Sequence, residues 1–166
     1  MLVYPKDYFN HITEISYEYL INHQLKALIL DVDNTLIDFD KYLAPEIIHW
    51  AEDLKQRGIK LFIVSNTNKK EKVSRVADAL QLDYIYYAQK PLKKGLKKAQ
   101  EKLHLKTAEI ATVGDQIFTD VIGGNRMGMY SILVEPLDKR DILITRWKRP
   151  IENIVKQRYL KTKEER

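Results

Sequence analysis

Two carboxylates one residue apart, Asp31 and Asp33, end the apolar run of "ALILDVDNTLIDFD". Three more stretches pair an apolar run with polar residues at its end. Ser65 and Asn66 end "KLFIVSN", Lys90 stands soon after "DYIYYA", and Asp115 ends "EIATVGD", with Asp120 five residues on. Carboxylates brought together repel, so Asp31, Asp33, Asp115 and Asp120 in one place would need a proton or a divalent cation to offset their charge. Oxygen-only ligands without His or Cys suit Mg²⁺, which binds through one or two carboxylates and a substrate phosphate. Ser65, Asn66 and Lys90 add a hydroxyl, an amide and a cation, a set that can cradle a phosphoryl group. The combined chemistry is that of phosphate.

Such a site forms only if the chain brings these residues to one edge. "KALILDV" reads as a buried strand, and "APEIIHWAEDLKQRG" as a helix with Pro45 near its start, Gly58 at its close and an inward stripe of Ile47, Trp50, Ala51 and Leu54. "KLFIVSN" predicts the next strand, with Asn66 or Thr67 as cap of a helix carrying Val73, Val76, Ala77 and Leu80 on one face. "DYIYYA" predicts a third strand, followed by a helix that aligns Leu92, Leu96, Ala99 and Leu103. "EIATVGD" and "MYSILVE" predict a fourth and fifth strand around a short helix ending near Gly128. Strand and helix alternate, which predicts an α/β fold: a three-layer, Rossmann-like parallel sheet with helices on both faces and its ligand site beyond the carboxyl ends of the strands. Asp31, Ser65, Lys90 and Asp115 are 34, 25 and 25 residues apart, each gap long enough for one helix-and-strand unit. "YFNHITEISYEYL" has apolar residues at helical spacing and predicts an N-terminal helix on the same domain.

In family order, "DVDNTL", "FIVSN", Lys90 in "AQKP" and "VGDQIFTD" resemble the four motifs of the haloacid dehalogenase (HAD) superfamily of phosphatases. The "DNTL" wording, the pattern from Gly114 to Asn125 and the short length resemble the YqeG-type group of class IIIA. The resemblance implies a hydrolase of phosphate monoesters that works through an aspartyl phosphate. It implies Asp31 as nucleophile, Asp33 as general acid and base with a raised pKa, and Asn34, Ser65, Asn66 and Lys90 on the substrate. Mg²⁺ would be held by Asp31, Asp115 and the Asp33 carbonyl, with Asp120 orienting Lys90 or the metal waters. Asp31, with a free pKa of about 3.9, is expected to be ionised at neutral pH without help. Substrate choice in this superfamily usually depends on an inserted cap domain. Residues 36 to 59 and 67 to 89 have no room for one, so a capless site and a bulky substrate are expected. Phosphatidylglycerophosphate is one candidate, because similar motifs occur in mitochondrial phosphatidylglycerophosphate phosphatases.

The rest of the chain sets limits. At 166 residues it fits one core, and zero cysteines exclude disulfides, thiolate metal sites and a cysteine nucleophile. No secretory signal or membrane-spanning run is seen, which predicts a cytoplasmic protein, at most peripheral at a membrane. Residues 139 to 166 hold ten Lys/Arg against four Asp/Glu, a net +6 within a total of +5. The remainder therefore carries about −1. We divide the chain into a phosphatase core, 1 to 138, and a basic helical extension, 139 to 166, packed on the same domain. In the extension "RPIENIVKQRYL" aligns Ile151, Ile154, Val155 and Tyr159. Such a helix packs on the core by default, and otherwise meets an anionic lipid surface or RNA. The final "KTKEER" reads as disordered.

Nucleic acid is not expected as a partner. Plainer readings compete at several positions. Asp-Asn-Thr after a strand is also a turn signal, and Gly123, Gly124, Gly128 and Asn125 read as shaping a helix exit. Lys93, Lys94, Lys97 and Lys98 fit a solvated helix face, Asp38 and Asp40 read as solvated, and the four His residues show no ligand spacing. Two alternatives to an enzyme remain at this stage: a receiver-like phosphoacceptor domain, which the paired acids disfavour, and a non-catalytic RNA- or ribosome-associated module using the basic tail.

Overall fold

The computed structural model describes residues 1–140 and 149–164. In chain order the elements are β1 (Asp7–Phe9), α1 (Tyr17–Asn22), β2 (Ala27–Leu30), α2 (Pro45–Gln56), β3 (Lys60–Val64), α3 (Lys70–Leu80), β4 (Tyr84–Ile85), α4 (Lys93–Leu103), β5 (Ile110–Gly114), α5 (Ile122–Met127), β6 (Tyr130–Val134) and α6 (Arg149–Glu164). The six strands form one parallel sheet in the order β1-β6-β5-β2-β3-β4. Every residue of β2 is buried, as expected for a central parallel strand covered on both faces. Alternation sorts its side chains. Leu28 and Leu30 face a core shared with α1, α2 and α3, while Ala27 and Ile29 face a second core with α4. Between β2 and β3 the chain builds only α2 and its loops, so no cap domain is inserted there.

Local signals explain most boundaries. Pro45 opens α2, whose buried stripe is the predicted Ile47, Trp50, Ala51 and Leu54. Gly58 ends it at φ +89°, where the Ile59 N–H returns to the Leu54 carbonyl at 3.0 Å. The Trp50 indole donates to the Ile15 carbonyl at 2.8 Å, so the large ring is buried without an orphaned N–H.

Four expectations need correction. Tyr8 and Phe9, the start of the stretch 8 to 20 read as an N-terminal helix, belong to β1 at the sheet edge beside β6; within that stretch only residues 17 to 20, the start of α1, are α-helical. The third strand shrinks to Tyr84–Ile85, because Tyr87 and Gln89 take left-handed backbone conformations that end it. α3 begins at Lys70 rather than at Asn66 or Thr67, whose side chains are used inside the site loop. Leu92 lies before α4 and is 52% exposed, and its inward place is taken by Gly95 against Ala88.

α6 packs through half of the expected stripe, with Tyr159 buried and Val155 against Ile117, Val121 and Leu133. Glu152 and Tyr159 are buried, whereas Ile151 and Ile154 are exposed. The Tyr159 hydroxyl donates to the Lys6 carbonyl at 3.2 Å, and ion pairs join Lys156 to Glu135 and Lys163 to Asp7. Helix continues through Glu164, so the first four residues of "KTKEER" are ordered as helix. Residues 141–148 of the extension and its last two residues lie outside the described residues.

Candidate functional site

The chain runs outward from β2 through β3 to β4, then returns across the sheet to β5 and β6. β2 and β5 are therefore neighbours at the point where the direction of winding reverses. Asp31 leaves β2 there with its N–H bonded to the Val113 carbonyl at 3.0 Å, and Asp115 follows β5 directly. Lys90 reaches in from the loop after β4. Its Nζ donates to Asp31 Oδ1 at 2.9 Å, Asp120 Oδ1 at 2.7 Å and the Val64 carbonyl at 2.7 Å. All three ammonium protons are thereby engaged. Asp31, Asp115 and Asp120 each offer one carboxylate oxygen within 4.8 Å of the other two, and all three are buried.

Charge crowding has a direct consequence. Burial pushes the Asp31 pKa up to about 8; the Lys90 ammonium opposes the rise, and Asp120 and Asp115 add to it. Its free value therefore does not describe Asp31 in the fold, where ionisation is opposed by burial and by Asp120 and Asp115 and favoured by Lys90. Burial also acts to lower Lys90, but Asp120 and Asp31 outweigh it and hold the ammonium above its ordinary range. One cation faces three carboxylates. An all-oxygen, buried set with excess negative charge fits a hard divalent cation, which would offset what Lys90 leaves.

The elements around the cluster are built to hold Lys90. The Asn66 carboxamide donates to the Lys90 carbonyl at 2.9 Å and accepts from the Lys90 N–H at 2.6 Å, so both of its ends grip one peptide unit. Ser65, 1% exposed, follows β3 directly, its hydroxyl accepting from the Thr67 N–H at 3.3 Å and its carbonyl from the Ala88 N–H at 2.9 Å. Asn66 was expected on the substrate, and the structure uses its side chain to place Lys90 instead.

Asp33 and Asn34 stand differently. The Asp33 carboxylate, 38% exposed, lies outside the three-carboxylate cluster and accepts from Lys72 Nζ of α3 at 2.5 Å. Asn34 takes a left-handed conformation at φ +58°. Its backbone carbonyl accepts from Leu137 N–H at 3.0 Å and its Oδ1 from Asp138 N–H at 3.2 Å. These bonds brace the loop after β2 against the segment leaving β6. Thr35 Oγ1 donates to Asp115 Oδ1 at 3.5 Å, tying the first carboxylate segment to the fourth.

Asp120 owes its position to a π-helical turn, Ile117–Val121, that follows Asp115. Its Oδ1 takes the Lys90 bond and its Oδ2 accepts from the Gln116 N–H at 3.2 Å, so both oxygens are engaged as braces. The carboxylate lies so close over Gly114 that a Cβ there would come within 2.2 Å of Asp120 Cγ and Oδ2. Gly124 is required in the same way by Thr112, whose Oγ1 would lie 2.1 Å from an added Cβ. The start of the turn is held from α6, where the buried Glu152 accepts from the Phe118 N–H at 3.1 Å.

Lys72, Gly114, Thr35 and Glu152 were not singled out from sequence. Thr35 and Gly114 lie inside the quoted motifs, whereas nothing in the spacing marks Lys72 or Glu152. A cavity of about 270 Å³ opens beside Asp115 and is lined by Leu133, Glu135, Lys139, Glu152 and Lys156. A larger one, about 790 Å³, lies between the N-terminal segment and α6. The converging charges, rather than volume, identify the site.

Known proteins resemble this chain in sequence or in fold. Residues 1–137 match the model of the family described as mitochondrial PGP phosphatase. A Bacillus subtilis protein named "Probable phosphatase YqeG" is 40% identical over 149 residues, covering 89% of this chain and 86% of that protein. The cobalt-bound deoxy-D-mannose-octulosonate 8-phosphate phosphatase of Haemophilus influenzae superposes with a TM-score of 0.55 at 15% identity, covering 68% of this chain and 69% of that one. A HAD phosphatase from Thermococcus onnurineus gives a TM-score of 0.50 at 22% identity, covering 64% and 59%. The last two likenesses bear on the fold.

Proposed function

The chain belongs to the PGP phosphatase family of HAD phosphatases, and from that premise we propose that it hydrolyses a phosphate monoester in two steps through Asp31. The observation that carries the reading is the Lys90 ammonium held between Asp31 and Asp120 at 2.9 and 2.7 Å, beside Asp115. An Asp31 oxygen attacks phosphorus as the ester P–O bond breaks, and Asp33 donates its proton to the departing oxygen. Asp33 then takes a proton from water, whose oxygen attacks phosphorus and breaks the bond to Asp31. Asp31 is freed and Asp33 is protonated again for the next cycle. In this reading Lys90 offsets charge on the phosphoryl oxygens, and Ser65 offers a hydroxyl to the same group. Mg²⁺ held by Asp31, Asp115 and the Asp33 carbonyl would supply the charge neutralisation that lets Asp31 ionise and the phosphoryl group approach. Asp120, whose two oxygens hold Lys90 Nζ and the Gln116 N–H, acts by fixing Lys90.

A bulky substrate is favoured because no domain is inserted over the site between β2 and β3. The family description names PGP, and phosphatidylglycerophosphate is the specific substrate we propose. No helix among the described residues is long and apolar enough to cross a membrane. A peripheral contact is instead supported by α6, which turns Ile151 and Ile154 outward among Arg158 and Lys161. Phosphate release from a chromogenic ester tests the reaction: it should require Mg²⁺ and vanish in Asp31→Asn. Hydrolysis of the lipid in vesicles, set against soluble sugar phosphates, tests the substrate. Turnover confined to the sugar phosphates would exclude the lipid.

A further inference from the structure

α3 sends into the site a side chain that the two-step reaction does not use. Lys72 sits in the first turn of α3, its side chain 16% exposed, with Nζ 2.5 Å from Asp33 Oδ1. Among the described residues Asp33 is its partner. The neighbouring stripe, Val73, Val76 and Ala77, is buried, which fixes the angle at which Lys72 leaves the helix. One turn along α3, Arg75 donates to the Lys41 carbonyl at 2.7 Å and holds the loop after β2 against α3. The distance between Lys72 and Asp33 is therefore set by packing on one side and by a loop contact on the other.

This geometry gives Lys72 a defined view of the substrate. Asp33 meets the ester oxygen within one hydrogen bond, about 2.7 Å. Lys72 Nζ, 2.5 Å from the Asp33 carboxylate, would then lie within about 7 Å of that oxygen, within reach of a group carried by the alcohol. Lys90 is held by three other acceptors, Asp31, Asp120 and the Val64 carbonyl, and shares none with Lys72. We infer that Lys72 is a specificity-determining residue that binds a second negative charge on the alcohol being released. The substrate class is then a phosphomonoester whose alcohol carries an anion, a carboxylate or a phosphodiester, a few atoms from the ester oxygen. This inference rests on the proposed reaction and adds to it the charge of the leaving group.

The test compares kcat/KM, with Mg²⁺, for three soluble esters. Glycerol 3-phosphate has a neutral leaving group, 3-phosphoglycerate carries a carboxylate, and glycerophosphoglycerol phosphate carries a phosphodiester. The full chain should prefer one or both anionic esters by about tenfold or more, the scale of one hydrogen bond to a charged group. Which of the two is preferred identifies the anion. Lys72→Met should reduce that preference to less than about threefold, whereas Lys72→Arg should retain most of it, each with an unfolding temperature near that of the parent. Loss of the same factor on all three esters in Lys72→Met would reduce Lys72 to a support for Asp33 and overturn the inference. Turnover of all three by the parent without discrimination would overturn it as well. No phosphate release from any ester would instead remove the proposed reaction itself.

Discussion

Gly114→Ala tests how tightly the sheet is fitted to the site. A Cβ at 114 would meet Asp120 Cγ and Oδ2 at 2.2 Å and Asp120 Cβ at 2.7 Å, more than an ångström short of ordinary contact. Gly114 ends the buried β5, paired through its neighbours to both β2 and β6, so the strand has little room to retreat. The Asp120 carboxylate must therefore move, and it carries the 2.7 Å bond to Lys90 and the 3.2 Å bond from Gln116 N–H. Overpacking costs about 1–3 kcal/mol, and disrupting a buried ion pair about 3–5 kcal/mol. The site relaxes in part, so we expect a net loss of about 3–5 kcal/mol. For a chain of this size that lowers the unfolding temperature by roughly 10 °C. Thermal unfolding followed by circular dichroism measures the shift, and phosphate release at a temperature where the variant is folded measures the site. Gly58→Ala is the control: an added Cβ meets nothing within 4 Å there, and only the φ of +89° is strained. That change should cost about 1 kcal/mol and leave activity intact. A Gly114→Ala protein with parental stability and parental turnover would refute the claim that Asp120 is seated against this strand.

Asn66→Ala removes both bonds to the Lys90 peptide and should lower kcat by about a hundredfold, the scale of a misplaced catalytic group, with folding retained. Gly124→Ala should destabilise by about 1–3 kcal/mol through its clash with Thr112, and Thr112→Ala in the same chain should recover part of that loss in urea unfolding. In chelator, stability should fall as pH rises from 5 to 8. The folded Asp31 pKa, about 8, lies above its unfolded value of about 3.9, so the contribution of the protonated form is complete below about 4 and disappears as the pH passes through 8. Asp31→Asn should flatten that dependence, and saturating Mg²⁺ should reduce it; a slope unchanged in Asp31→Asn would contradict the assignment.

Much of this architecture is readable before any coordinates. β2, β3 and β5 are short, apolar and bounded by polar residues, and α2 and α3 show their buried stripes in the spacing alone. The three buried carboxylates and Lys90 were all candidates from sequence. Elements that tertiary contacts decide were not legible. β1 is three residues long and is a strand because β6 offers its edge, a fact that no local pattern carries. The buried face of α6 is chosen by Tyr159 reaching the Lys6 carbonyl and Glu152 reaching Phe118 N–H, so the hydrophobic pattern holds for Val155 and Tyr159 and fails at Ile151 and Ile154. Lys72 looked like one more lysine in a charged stretch, and only the closeness of α3 to Asp33 gives it a place. The upward shift of the Asp31 pKa is likewise invisible in sequence, since a free pKa contains no neighbours.

Turnover in two steps requires Asp31 to take the phosphoryl group. Rapid acid quench of the Mg²⁺-loaded protein with substrate, followed by peptide mass spectrometry, should find phosphate on the peptide containing Asp31, and hydroxylamine should remove it, as expected for an acyl phosphate. Asp31→Asn should show neither this adduct nor turnover. Parental turnover in Asp31→Asn, or phosphate trapped on a different side chain, would contradict the central claim.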